Sequence, residues 1–94
     1  MKIKGFIWFE EILEKLERKH HVRQEEVREV FENRPKFRFV EKGHHSGENV
    51  YAALGQTNAD RHLIVFFVYK KDKSVLILSA RNMTPAERKK YEQK

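Results

Sequence analysis

The chain has no cysteine among its 94 residues, which removes disulfides, thiolate nucleophiles and cysteine-based zinc or iron–sulfur sites from its chemistry. Its four glycines form no phosphate loop or dinucleotide fingerprint, and no serine nucleophile elbow is present. No apolar run is long enough to cross a bilayer, and Met1-Lys2-Ile3-Lys4 lacks the apolar stretch and cleavage site of a signal peptide. A cytoplasmic protein without membrane contact is expected. Internal repeats and low-complexity tracts are also missing. Of the five histidines, His20-His21 and His44-His45 are adjacent pairs whose side chains diverge, and no metal-ligand spacing occurs, so neither a metal site nor a cofactor is expected.

What is present is charge. Lysine and arginine number 20 against 14 acidic residues, a net charge of +6, and 39% of the chain is hydrophobic. These proportions fit one globular domain over residues 1–94. The charge is uneven: residues 1–33 hold seven cations and eight anions, whereas residues 34–94 hold thirteen and six. The positive field belongs to the later part of the chain and favours a polyanionic partner; a nucleic acid fits, and ribosomal, anionic-protein and merely solubilising surfaces look alike at this level.

The most apolar stretch is Leu63 to Arg81. Leu63–Tyr69 and Val75–Ala80 are rich in β-branched and aromatic residues and are separated by Lys70-Lys71-Asp72-Lys73, which predicts a β-hairpin. Neither run alternates cleanly, so both of its faces need cover and the hairpin belongs at the centre of a sheet. Ahead of it, residues 3–8 read as an extended lead-in that brings Trp8 to the core. A helix follows with Phe9, Ile12, Leu13, Leu16 and His20 on one stripe, and a second runs from Gln24 to Glu32, stopped by Asn33-Arg34-Pro35. Lys36–Val40 alternates as a half-exposed strand, Glu41–Glu48 reads as a loop, and Asn49–Gly55 as another strand. Thr84-Pro85-Ala86-Glu87 is a capping box opening a basic C-terminal helix with Arg88, Lys89 and Lys90. The expected fold is α+β: a helical hairpin, four mainly antiparallel strands with a possible fifth, and a final helix.

Without cysteine or a metal motif, the polar residues still suffice for RNA cleavage through the ribose 2′-hydroxyl. That reaction needs a proton acceptor, charge stabilisation on the phosphate and a proton donor to the 5′-oxygen. Arg81, a cation closing the central strand just before a helix start, suits a phosphate.

The order of motifs resembles the BrnT toxins. It consists of Trp8 before an amphipathic helix, Lys19-His20 at that helix's end, Val30-Phe31, Tyr51 and Gly55 in a strand, Ile77-Leu78-Ser79-Ala80-Arg81, and Glu87-Arg88 with Tyr91. The resemblance implies a RelE-type fold, ribonuclease activity and neutralisation by a DNA-binding antitoxin, operator DNA being met through that antitoxin. Carried across, it points to Trp8, Lys19, His20, Arg81, Glu87 and Tyr91. The resulting assignment places Arg81 on phosphate charge, His20 or a loop histidine as acid or base, Lys19 as electrostatic support and Tyr91 as a donor, with Trp8, Arg61, Arg88 and Lys89 contacting RNA. The chain departs from the family pattern at Phe9, Ile12, Leu16, Val50 and Leu76, where polar or basic residues are usual. Two readings follow: a ribonuclease whose site is rebuilt, or a non-catalytic module that binds RNA or holds its antitoxin.

Overall fold

A computed structural model describes residues 1–43 and 47–93. The elements in chain order are β1 (Gly5–Ile7), α1 (Glu10–His20), α2 (Gln24–Glu32), β2 (Lys36–Glu41), β3 (Val50–Gln56), β4 (His62–Tyr69), β5 (Ser74–Asn82) and α3 (Pro85–Glu92). The strands form one mixed sheet in the order β1-β5-β4-β3-β2, so the fold is α+β as expected. His44, His45 and Ser46, in the expected loop, and Lys94 lie outside the described residues.

Local chemistry accounts for the helices. Glu10 and Glu11 occupy the first turn of α1 and Arg18, Lys19 and His20 its last, each sign at the end of the dipole that favours it. The chain then turns through His21 in the left-handed region (φ 53°), whose N–H donates to the Glu17 carbonyl, and Val22 drops into the core at 1% exposure. The second helix opens with the Arg23 N–H donating to Glu26 Oε1 at 3.0 Å and stops before Pro35.

The sheet is a meander from β2 to β5, each neighbouring pair antiparallel. The optional fifth strand is real, and it pairs parallel with β5 through Gly5↔Ser74 to Ile7↔Leu76. The cause is the helical hairpin between β1 and β2: it carries the chain across the sheet, so the meander starts at the far edge and grows back until β5 lies beside β1.

Parity along β4 distributes the core. Leu63, Val65 and Phe67 face the helical hairpin and pack with Leu16, Val22, Val27, Val30, Val75 and Ile77. Phe67 is fully buried, with the rings of Phe31, Phe37 and Tyr51 at 5.2, 6.0 and 6.0 Å. On the opposite face Ile64 packs with Ala52 and Leu54 beneath Phe66, Met83 and Tyr91, which brings α3 over this side. The two layers differ in extent, since α3 has eight residues.

The end of α2 presses onto β3 at Gly55, where an added Cβ would lie 3.1 Å from Val30 Cγ1 and 3.3 Å from Pro35 Cβ. Asn33 locks the same joint by donating Nδ2–H to the Gln56 carbonyl at 2.9 Å and to Asn58 Oδ1 at 3.0 Å. A valine at position 55 has no free volume to enter. Gly55→Val is expected to lower stability by about 1–3 kcal/mol, read as a lower urea midpoint at an unchanged slope.

Candidate functional site

The α3 side of the sheet collects polar groups around the capping box. The Thr84 N–H donates to Glu87 Oε1 at 2.8 Å and the Glu87 N–H to Thr84 Oγ1 at 3.1 Å, fixing the first turn of α3. The same carboxylate takes a forked pair of bonds from Arg81, Nη1 to Oε1 at 2.7 Å and Nη2 to Oε2 at 3.0 Å. Arg81 Nη1 also donates to the Asn82 carbonyl at 3.1 Å, and the guanidinium lies 5.6 Å from the centre of the Phe66 ring. Bonding to Arg81, reinforced by the Thr84 amide and opposed by burial, holds the Glu87 carboxyl at about 2 instead of 4.5. The guanidinium is therefore oriented and half neutralised. Its Nε–H and one Nη2–H make no hydrogen bond among the described residues.

Farther along α3, Tyr91 stands edge-on to His62 with ring centres 5.9 Å apart, and its hydroxyl is 3.5 Å from Gln56 Oε1. Lys36 closes the C-terminal end of the helix: its ammonium donates to the carbonyls of Tyr91 and Gln93 and lies 5.3 Å from the Tyr91 ring centre. Register puts His62, Ile64 and Phe66 on one face of β4 with Arg81 opposite Ile64, so Arg81, His62 and Tyr91 share one side of the sheet. His62 escaped sequence reasoning. Its signal was parity, two residues before Ile64, but parity names a face once the chain's cover is known.

The remaining candidates lie on the other side. Arg61 is consumed internally: Nη1 donates to the His21 carbonyl at 2.5 Å and to Glu26 at 3.2 Å, Nη2 to the His20 carbonyl at 2.8 Å, and Nε to Asn82 Oδ1 at 2.9 Å. One side chain thereby ties the end of α1, the start of α2 and the end of β5. Burial opposes ionisation of Glu26, yet the Arg23 amide and Arg61 together hold its pKa below the ordinary value. Lys19 and His20 belong to the end of α1, and Trp8 is partly buried against the helical core, 6.0 Å from Phe6. Trp8 thus belongs to the helical layer, whereas Arg61 and Arg81 both bond Asn82, through its Oδ1 and its carbonyl. On α3, Arg88 is paired with Glu92 at 2.9 Å, while Lys89 is exposed and forms no ion pair among the described residues.

The residues at which the chain departs from the BrnT pattern also have places. Leu16 is core at 2% exposure, Ile12 packs against it, and Phe9 precedes α1 at 52% exposure. Val50 and Leu76 both register on Val68, one on each side, giving a row Val50–Val68–Leu76 across three strands. This row shares its face with Arg81 but lies toward the opposite end of the strands, with Leu78 36% exposed between.

Residues 8–87 match the family model of the BrnT toxin, described as the ribonuclease toxin, BrnT, of type II toxin-antitoxin systems. The chain belongs to the BrnT family. No curated protein matches it. Within this BrnT chain the residues singled out from sequence fall in two groups: Arg81, Tyr91, Arg88 and Lys89 lie with α3, and Trp8, Lys19, His20 and Arg61 with the helical hairpin. Among the described residues no helix is long and apolar enough to cross a membrane.

Removing Arg61 strands two helix-terminal carbonyls and the Glu26 carboxylate. Arg61→Ala is expected to cost about 2–3 kcal/mol, and Arg61→Lys to recover a minority of it, because an ammonium cannot bridge three elements; chemical denaturation measures both. Since the folded-state pKa of Glu87 lies below its unfolded value, its stabilisation is full above about pH 4.5 and is lost as pH falls toward 2. Glu87→Gln should remove about 1–2 kcal/mol of acid-dependent stability after solvent screening, seen as a flatter unfolding midpoint between those pH values.

Proposed function

We propose that this BrnT-family chain is a cytoplasmic endoribonuclease toxin that cleaves RNA without a metal ion and is neutralised by a cognate DNA-binding antitoxin, through which alone it meets operator DNA. The observation that carries the reading, beside the family match, is the placement of Arg81, His62 and Tyr91 on one side of the sheet. In the proposed reaction the ribose 2′-oxygen forms a bond to phosphorus and the bond to the 5′-oxygen breaks. A base takes the 2′ proton and an acid protonates the departing oxygen, leaving a 2′,3′-cyclic phosphate. His62 is the proton carrier, with the Tyr91 hydroxyl as auxiliary donor. Arg81, held by Glu87, directs its remaining N–H groups at the phosphate as charge develops. Lys89 and Arg88 give long-range attraction from α3. Lys19, His20, Trp8 and Arg61 act, in this reading, by building the helical layer.

A second reading is a module that holds its antitoxin or RNA without cleaving. It is favoured by the Val50–Val68–Leu76 row, apolar where the family pattern is basic, and by the ion pair that half neutralises Arg81.

One experiment separates them. Purified protein incubated with single-stranded RNA in excess chelator should release fragments ending in 2′,3′-cyclic phosphate, with His62→Ala and Arg81→Ala each slower by about 10²-fold or more. Intact RNA, together with a stable complex with the antitoxin, would select the second reading.

A further inference from the structure

At the far end of the sheet from α3 lies a basic, aromatic recess that the proposed reaction does not use. A cavity of about 250 Å³ is lined by Gly47, Asn49, Tyr51, Tyr69, Lys70, Lys71 and Lys73. Tyr51 and Tyr69 are half-buried side chains on the helix-facing side of the sheet, Tyr51 opposite Phe67 and Tyr69 two residues beyond it. Phe39 stands edge-on to Tyr51 at 5.8 Å and is 55% exposed, the most exposed aromatic ring of the sheet. Burial along its strand does not alternate: Phe37 is partly covered, whereas Phe39, on the same face, is exposed. An uncovered phenylalanine edge-on to Tyr51, which with Tyr69 lines the cavity, offers a ring for stacking.

The rim is cationic and held in shape. The β4–β5 turn closes through the Lys70 N–H to the Ser74 carbonyl and the Lys73 N–H to the Lys70 carbonyl, both 2.9 Å, with Lys73 in the left-handed region at φ 71°. Asp72 is occupied within the turn, accepting from the Ser74 N–H at 2.9 Å and from its hydroxyl. Lys70 is paired with Glu48 at 3.1 Å. Lys71 lies across Gly47, where an added Cβ would fall 2.6 Å from its Cε. Lys71 and Lys73 form no ion pair among the described residues. The residues before β1 are tied to this turn: the Lys4 N–H donates to the Lys73 carbonyl at 2.8 Å, and the Tyr69 hydroxyl donates to the Lys2 carbonyl.

Single-stranded nucleic acid needs this combination, a base stacked on an aromatic ring and phosphates beside unpaired lysines. A protein partner of ordinary affinity would call for a larger apolar centre than one exposed ring. We propose that Phe39, Tyr51 and Tyr69 with Lys71 and Lys73 form a subsite for a distal segment of single-stranded RNA, on the face of the sheet opposite to the one that carries Arg81. It rests on the RNA-directed reading above and deepens it. The strand from Ser74 to Asn82 places the subsite about 25 Å from Arg81, so it sets affinity and substrate length and takes no part in chemistry.

The test uses a 2′-O-methyl oligonucleotide, which has no free 2′-hydroxyl and cannot be cut, with binding followed by fluorescence anisotropy over a range of salt concentrations. The exposed positions allow substitution with the fold retained, checked by circular dichroism. Lys71→Ala/Lys73→Ala should flatten the slope of log affinity against log salt by about 1.4. Phe39→Ala should weaken binding by about 5- to 150-fold at an unchanged slope. Wild-type binding with both variants unaltered would overturn the subsite and leave the RNA reading standing. Wild-type protein that binds no oligonucleotide would overturn both. Variants that lose the antitoxin but keep the oligonucleotide would make the recess a protein contact and overturn the subsite.

Discussion

The constraint on which the molecule depends is a central strand that is apolar on both faces. β4 sends Leu63, Val65 and Phe67 to one side and Ile64, Phe66 and Val68 to the other, and each set must be kept from water. The helical hairpin fulfils this on one face with Leu16, Val22, Val27 and Val30, all at or below 2% exposure. The other face has two turns of α3, enough for Ile64 and part of Phe66. The sheet beyond α3 stays open, carrying the row from Val50 to Leu76. The inequality of the two layers is therefore what gives this BrnT chain a fully covered side and a partly covered one.

Two arginines show how context assigns a role to the same side chain. Arg61 meets the carbonyls that end α1, where the helix dipole is negative, and adds a carboxylate and an amide oxygen, so its charge is spent on holding three elements together. Arg81 meets a carboxylate that already caps α3. The capping box fixes Glu87, Glu87 fixes Arg81, and two guanidinium N–H groups make no hydrogen bond among the described residues. Structural pairing and phosphate binding are compatible there because the fork engages one edge of the guanidinium. The same cap explains why α3 holds its place with no fully buried residue of its own.

Much of the fold was legible in the sequence. The β4–β5 hairpin follows from two β-branched runs around Lys70–Lys73, the bounds of α2 from Glu25, Glu26 and Pro35, and the start of α3 from Thr84-Pro85-Ala86-Glu87. These are signals between residues a few positions apart. The parallel pairing of β1 was not legible, because a strand of three residues carries too little pattern and its partner lies about seventy positions away. The candidate site divides in the same way. Arg81 and Tyr91 were marked by the strand end and helix that carry them. His62 was passed over because its neighbour Tyr91 is distant in sequence, and the bonds of Arg61 to the ends of α1 were not legible because carbonyl partners leave no trace in side-chain identity.

What the sequence by itself determined is which segments become helix and strand, the net charge and its bias to the later residues, and the family to which the motifs belong, since each is written in local spacing or composition. Tertiary structure decided which cations remain available. Lys36, Arg61, Lys70 and Arg81 are bonded within the fold, whereas Lys71, Lys73 and Lys89 form no ion pair among the described residues. Coulomb and hydrogen-bond energies depend on separations of a few ångströms, and such separations exist once strand register and helix placement have brought remote residues together.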